Sequence, residues 1–218
     1  RVAQQVVEDL PDAHLVPDQL VGYFRCHAGI DLQALGARVG DVLVLGKPIG
    51  VGILSAALKK EVLDAAGYES MIANATKLNT PGPELAELSD VHALTDVTGF
   101  GLAGHALEIA RGAKLTAHIK WADVPLLPKV AALIKEGNVT GASGRNWEGY
   151  GPEISLDSGL PTECQTLLSD PQTSGGLLVS CTPETVPEVL AIFKRHGFND
   201  AAVVGHIGEA QKSRLVVS

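Results

Sequence analysis

Short apolar runs along the 218-residue chain predict strands, and the run at 41–45 is continuous enough for both faces of the strand to be buried. These runs cover residues 41–45, 91–97 and 177–181. Apolar and polar residues alternate over 115–121, which is typical of a strand with one face exposed to solvent. Two further runs, 201–207 and 214–217, predict a terminal β-hairpin.

Apolar residues at spacings of three and four predict amphipathic helices between the strands. The predicted helices cover residues 54–67, 68–78, 102–112, 126–136 and 185–197, with a short helical turn at 84–88 and a further helix at 1–10. Gly112 and Gly197 are predicted to end two of them, and Thr185 with Glu188 forms a capping-box pattern. The glycine-rich stretch 138–161 has no helical spacing and is predicted to be a long irregular loop.

Strands and helices of these lengths predict an α/β (α+β) domain in which helices pack on a mixed sheet. The regular pattern begins near residue 36, so residues 36–218 are predicted to form this domain. Residues 1–35 show no consistent pattern after their first helix, and we interpret them as a linker or as the remnant of another domain. Hydrophobic residues make up 45% of the chain, which is enough for a large core.

Charge and cysteine content narrow the function classes. A net charge of -8 without a run of Lys or Arg argues against nucleic acid and against an anionic membrane surface as partners. Lys47, which follows the first buried strand, is interpreted as a solvated side chain, with contact to a phosphate as the alternative. Cys26, Cys164 and Cys181 are too widely spaced for a zinc motif or a disulfide framework, so we expect a cytoplasmic protein. The chain has no apolar run of the roughly 18 residues that a membrane-spanning helix needs.

Two glycine-rich turns carry the candidate chemistry. In the first glycine turn, residues 96–101, a carboxylate ends a strand and glycines precede a helix. Such a turn presents a metal ligand next to free backbone N–H groups, which bind phosphate well. The second glycine turn, residues 170–176, has the same character, so two backbone surfaces are predicted to converge on a phosphate. The predicted metal ligand is Asp96, and the predicted phosphate-binding residues are Thr98, Gly99, Gly101, Thr173, Gly175 and Gly176.

Two other interpretations of these turns remain open at this point. Gly99, Gly101 and Gly104 also match the G-x-G-x-x-G pattern of a dinucleotide-binding domain, and Asp123 lies near the position of its ribose-binding acid. Against this, Asp96 beside a pyrophosphate would repel it unless a cation lay between them. A solvated Asp in an ordinary strand-to-helix turn explains the first pattern equally well, and common loop residues explain the second.

Several motifs, taken in order, resemble the selenophosphate synthetases (selenide, water dikinases), which belong to the aminoimidazole ribonucleotide synthetase-like superfamily. The matching residues are 40–48, 95–101, 104–105, 145–146 and 170–178. The resemblance covers about residues 36–218 and implies the C-terminal domain of that fold, with residues 1–35 as a remnant of the N-terminal ATP-binding domain. It also implies that Asp96 is a Mg²⁺ ligand.

The activity implied by the resemblance converts ATP, selenide and water into selenophosphate, AMP and phosphate, for selenocysteine synthesis. ATP and selenide would be the partners, in a homodimer joined mainly by N-terminal domains. No catalytic residue is assigned, because the family's segment with a nucleophilic Cys or selenocysteine and a Lys has no counterpart, and Cys26 lacks the matching context. We therefore expect a truncated chain that is inactive alone, with a non-catalytic regulatory or binding paralogue as the alternative.

Overall fold

The computed structural model describes residues 36–218 and, before them, the backbone of two short antiparallel strands, β1 (Phe24–Arg25) and β2 (Asp31–Leu32). The predicted helix at residues 1–10 lies outside the described residues. Seven further strands form one sheet in the order β4-β7-β3-β8-β5-β9-β6. They are β3 (Val42–Leu45), β4 (Val91–Asp96), β5 (Thr116–Ile119), β6 (Ile154–Leu156), β7 (Leu177–Cys181), β8 (Ala202–Gly208) and β9 (Leu215–Val217).

The sheet is mixed, as predicted. Strands β4, β7, β3, β8 and β5 pair antiparallel, whereas β9 pairs parallel with β5 and β6. The predicted terminal hairpin is wrong, because β5 lies between β8 and β9. The dinucleotide-binding interpretation is also wrong. That fold requires a strand, a helix and a parallel strand in one βαβ unit, whereas β4 and β5 are separated by three strands.

Eight helices are found within residues 36–218. They are α1 (Val51–Lys59), α2 (Ala65–Thr76), α3 (Gly82–Ala86), α4 (Gly101–Ala113), α5 (Val130–Lys135), α6 (Gly141–Tyr150), α7 (Glu163–Leu168) and α8 (Val186–Arg195). The helix predicted up to residue 67 instead ends at Lys59, and α2 begins after Asp64, whose carboxylate accepts from Gly67 N. Within the described part of the chain, each helix is too short or too polar to cross a membrane.

The predicted loop at 138–161 is wrong, because its first half forms α6 and its second half contains β6. Thr140 caps this helix by accepting a hydrogen bond from Ser143 N at 3.1 Å. Two predicted helix ends also differ. Helix α4 ends at Ala113, one residue beyond Gly112, and the capping residue Lys114 has a left-handed backbone conformation. The Thr185 side chain makes no cap hydrogen bond to α8. Gly197 ends α8 at a positive φ of 79°, as predicted.

Apolar residues cover the sheet on both faces. Alternation along β3 sends Leu43 and Leu45 into a large cluster with α1, α4 and α7, and sends Val44 into a smaller cluster with α3 and α8. The smaller cluster covers β4, β7 and β3, which are therefore buried on both faces and explain the continuous apolar runs. The first glycine turn follows β4 and the second precedes β7, so both lie at neighbouring strand ends in the part of the sheet that is covered on both faces.

Candidate functional site

The two glycine turns lie side by side. Strands β4 and β7 pair so that Asp96 is opposite Leu177, which places the end of the first turn's strand beside the end of the second turn. Beyond the ladder, Val97 N donates to Gly176 O at 2.8 Å and Gln172 N donates to Thr98 O at 3.0 Å. The structure therefore brings together the two turns that the sequence singled out.

Close backbone contact explains several of the glycines. A Cβ at position 175 would lie 1.9 Å from Val97 O, and one at 176 would lie 2.4 Å from Lys47 N. Gly101 has a φ of +70°, and a Cβ there would lie 2.6 Å from Leu168 O. By contrast, a Cβ at Gly99 would meet nothing within 4 Å. Gly175 and Gly176 are buried, whereas Gly99 and Thr173 are exposed.

Asp96 is the only acidic residue in the first turn, and it is half-buried. Among the described residues, its carboxylate has no hydrogen-bond or ion-pair partner. An unpaired carboxylate at a strand end is a hard oxygen donor, as Mg²⁺ prefers. Residues 36–218 contain no group of three or more His, Cys, Asp and Glu side chains that could hold a metal. Within residues 36–218, Asp96 is therefore a carboxylate without a cluster of further such side chains around it.

A buried histidine stands behind the first turn. His105, 2% exposed, lies in the first part of α4. Its Nε2 lies 3.2 Å from Thr98 Oγ1 and its Nδ1 lies 2.8 Å from Glu108 Oε2. No sequence pattern assigned this histidine a role of its own. Its partners are Thr98, which precedes the helix, and Glu108, one helical turn later, and this set matches no common metal or catalytic motif.

Helix α6 holds the first turn from the other side. Asn146 Nδ2 donates to Gly99 O at 2.8 Å and to Ser169 O at 3.0 Å, so one amide group joins the first turn to the residue that immediately precedes the second. Tyr150 donates its hydroxyl proton to Phe100 O at 2.7 Å, and burial raises the pKa of this phenol. A cavity of about 270 Å³ lies between α4 and α6, lined in part by Phe100 and by Arg145.

The polar side chains of the second turn are used within the fold. Asp170 Oδ2 accepts from Gly52 N at 2.9 Å, and Gln172 Oε1 accepts from Gly50 N at 3.0 Å. These bonds satisfy amides at the N-terminus of α1 that would otherwise lack partners. Burial raises the pKa of Asp170 to about 7, against the opposing effect of hydrogen bonds from Gln172 and the α1 amides.

Lys47 is a buried brace, so its interpretation as a solvated lysine is wrong. It is 2% exposed, and its amino group donates to Asn74 O at 3.1 Å, Lys77 O at 2.6 Å and Ser174 O at 2.6 Å. Burial, with a smaller contribution from the Lys77 charge, lowers the pKa of Lys47 to about 8. All three ammonium donors are therefore occupied by carbonyl groups, one of them in the second turn.

The described cysteines offer no activated nucleophile. Cys164 and Cys181 are both buried. Burial raises the pKa of Cys164 to about 12 and that of Cys181 to about 11, so both remain thiols at neutral pH. Neither residue is therefore suited to covalent catalysis.

Comparisons with known proteins agree with this architecture. The model of the family described as AIR synthase related protein, C-terminal domain, matches residues 38–218. The chain is 63% identical over 172 residues to a selenide, water dikinase of Paraburkholderia xenovorans, which covers 79% of this chain and 49% of that protein. It is 64% identical over 171 residues to a selenide, water dikinase of Burkholderia ambifaria, with 78% and 48% covered.

The fold also resembles solved structures of low sequence identity. E. coli HypE, a hydrogenase maturation protein, superposes with a TM-score of 0.60 at 18% identity, over 84% of this chain and 48% of that one. The chain spans about half the length of the curated relatives that it matches. The match over residues 38–218 establishes that this chain belongs to the AIR synthase related family, through its C-terminal domain.

Proposed function

We propose that this chain supplies the C-terminal domain of a selenide, water dikinase, which converts ATP, selenide and water into selenophosphate, AMP and phosphate. Identity above 60% to proteins of that name supports the assignment. The observation that carries the site is the unpaired Asp96 carboxylate at the point where two glycine turns converge.

In this proposal, Asp96 holds a Mg²⁺ ion that shields and bridges ATP phosphates, as such ions do in phosphoryl transfer. Gly99 and Thr98 face the nucleotide from the first turn, and Thr173 faces it from the second. Gly101 and Gly175 let the two backbones approach closely, and Gly176 lets the second turn pack against the backbone of Lys47. The nucleophile and the further acidic ligands would come from the family's N-terminal region. In this proposal the same region joins two copies into a homodimer, and the protein is cytoplasmic.

The decisive comparison is Asp96→Asn against Asp123→Asn. Asp123 is an exposed acid that pairs with Lys120 at 2.9 Å, so it controls for the loss of one negative charge. The affinity for Mn²⁺ in the presence of ATP is measured by electron paramagnetic resonance. It should fall at least about 10-fold in Asp96→Asn and stay the same in Asp123→Asn.

The activity is tested in the complete dikinase by following selenophosphate with ³¹P nuclear magnetic resonance. Asp96→Asn should abolish its magnesium-dependent formation, and an unchanged rate would refute the proposed site. A second candidate function is that of a non-catalytic binding domain. It predicts nucleotide binding that depends on Asp96 in a complete protein that makes no selenophosphate.

A further inference from the structure

Two histidines that are far apart in the sequence stack on each other across two neighbouring strands. His118 of β5 is opposite His206 of β8 in the strand register, so their side chains leave the sheet at the same level. The imidazole rings are stacked, with 4.6 Å between the ring centroids and 3° between the ring planes. His206 is exposed and His118 is half-buried, so the pair can be reached from solvent.

The fold makes little use of the four ring nitrogens of this pair. His118 Nε2 lies 3.4 Å from Gln211 Nε2, and the other three nitrogens have no hydrogen-bond partner among the described residues. Gly208 follows His206 on the same face of β8, and a Cβ there would lie 2.9 Å from His118 Nε2. The glycine therefore keeps the space beside this nitrogen free of a side chain.

Two adjacent imidazoles are the ligands that borderline transition metals prefer. Neutral imidazole is the commonest protein ligand for metals, and it suits Zn²⁺, Ni²⁺ and Cu²⁺. Metal–nitrogen bonds are about 2.0–2.1 Å long, so one ion can join two nitrogens that lie within about 4.2 Å of each other. The stacked rings are close to this limit. Because the χ2 torsion of histidine has a broad energy minimum, the exposed ring of His206 can tilt its edge towards His118.

We propose that His118 and His206 form a two-ligand chelating site for a divalent transition-metal ion of the zinc, nickel and copper type. The site is distinct from the proposed magnesium site at Asp96, because Mg²⁺ prefers oxygen ligands and because three strands separate β4 from β5. Two protein ligands leave the other coordination positions of the ion open. The bound ion links β5 to β8, whose histidines meet only in the folded chain.

The first test is isothermal titration calorimetry with Ni²⁺ on the full 218-residue chain, prepared without an affinity tag. His118→Gln and His206→Gln should each weaken Ni²⁺ binding at least about 10-fold, because the loss of either ligand destroys the chelate. The control is His196→Gln, since both ring nitrogens of His196 already have partners, Thr80 and Glu84. It should bind Ni²⁺ as the wild type does. An unchanged affinity in either variant of the pair overturns the inference.

The double variant separates a chelate from two sites with one histidine each. If the pair is a chelate, the variant that carries both His118→Gln and His206→Gln should lose little more affinity than either single variant. If each single substitution removes one bound Ni²⁺ and leaves the affinity for another unchanged, the inference is overturned. Thermal unfolding by circular dichroism checks that each variant folds. His206→Gln changes an exposed residue, so it still provides the test if His118→Gln does not fold.

The second test identifies the ligands with Zn²⁺ and nuclear magnetic resonance. One equivalent of Zn²⁺ should shift the ring ¹⁵N signals of His118 and His206 together, and those of the buried His92 and His105 should stay in place. Zn²⁺ should also raise the unfolding temperature, because it binds the folded chain in preference to the unfolded one. Shifts at other histidines without a shift at this pair overturn the inference.

This inference and the proposed function can fail independently. Asp96→Asn and an excess of Mg²⁺ should both leave the affinity for Ni²⁺ unchanged. If Asp96→Asn weakens Ni²⁺ binding as much as His206→Gln does, the role of the histidine pair as a separate site fails and the site at Asp96 stands. If Asp96→Asn does not weaken Mn²⁺ binding while His206→Gln weakens Ni²⁺ binding, the proposed magnesium site fails and the histidine site stands.

Discussion

The two glycine turns have similar sequences and opposite uses of their polar side chains. In the second turn, Asp170 and Gln172 are buried and bind the amides that open α1. In the first turn, the Asp96 carboxylate has no partner among the described residues, and Thr98 is held from behind. The polar side chains of the second turn thus stabilise the fold, whereas the carboxylate of the first turn makes no bond within the described residues.

The difference shows that a glycine-rich turn is not a ligand surface by composition alone. The deciding observation is where the hydrogen bonds of its polar side chains go. When a carboxylate satisfies helix amides within the same fold, that helix N-terminus is no longer available to an external anion. In the site that we propose, the second turn would contribute through its backbone and Thr173, while its acid stabilises the domain.

The largest expected effect comes from separating the turns. Gly175→Ala would place a Cβ 1.9 Å from the backbone oxygen of Val97. Because this oxygen belongs to the backbone, no side-chain rotation can relieve the clash. We expect the free energy of unfolding in urea to fall by about 3 kcal/mol or more. Gly99→Ala, with nothing within 4 Å, is the matched control and should change it by no more than about 0.5 kcal/mol. Similar values for both would contradict the close packing.

The next effect contrasts the two acids. Asp170→Ala leaves the amides of Gly52 and Ile53 without their acceptor and should cost about 2 kcal/mol of unfolding free energy at pH 6. Asp96→Ala should leave stability within about 0.5 kcal/mol, since no bond within the described residues is lost. Equal losses from both substitutions would remove the distinction between brace and ligand.

The pH dependence of stability sharpens the same contrast. The pKa of Asp170 is raised from 3.8 to about 7, so the folded state binds its proton more tightly than the unfolded state. The tighter proton binding at Asp170 contributes fully to the free energy of unfolding below the unfolded pKa. This contribution is lost as pH rises from about 4 to about 7, by up to about 1.4 kcal/mol per pH unit. Asp170→Asn should flatten the unfolding free energy over that window. A slope that remains unchanged in the variant would assign the effect to other groups.

The smallest effect concerns the bridge between the turns. Asn146→Ala removes the amide that donates to Gly99 O and Ser169 O, which should cost about 1 kcal/mol. Amide hydrogen exchange should become faster in residues 99–101 and stay the same in β3. Asn138→Ala is a control of the same type, because Asn138 donates only to Leu133 O, away from the turns.

Local patterns predicted the parts of the fold that local forces determine. Strands β3 and β7 are short, largely apolar runs because both of their faces are covered, and α4 follows its apolar spacing. The predicted loop at 138–161 failed because glycine content lowers helix propensity, whereas tertiary contacts of Asn146 and Tyr150 stabilise α6. The false hairpin arose because β5, distant in sequence, pairs with both β8 and β9.

The candidate site was predictable only in part, for a similar reason. The adjacency of the turns could be inferred from two glycine patterns that follow or precede buried strands. The caps made by Asp170 and Gln172 join residues more than 100 positions apart, with sequence separations of 118 and 122 for two of the bonds. No spacing rule reaches that far, so the difference between the turns became visible only in the folded chain.

The position of β9 has a consequence for how the protein forms during synthesis. This strand lies between β5 and β6, and it is the only neighbour of β6 in the described sheet. Because translation proceeds from the N-terminus, β5 and β6 leave the ribosome before the strand that joins them exists. Until residues 215–217 emerge, β5 and β6 lack the strand that joins them, and their edges are open to pairing with other chains.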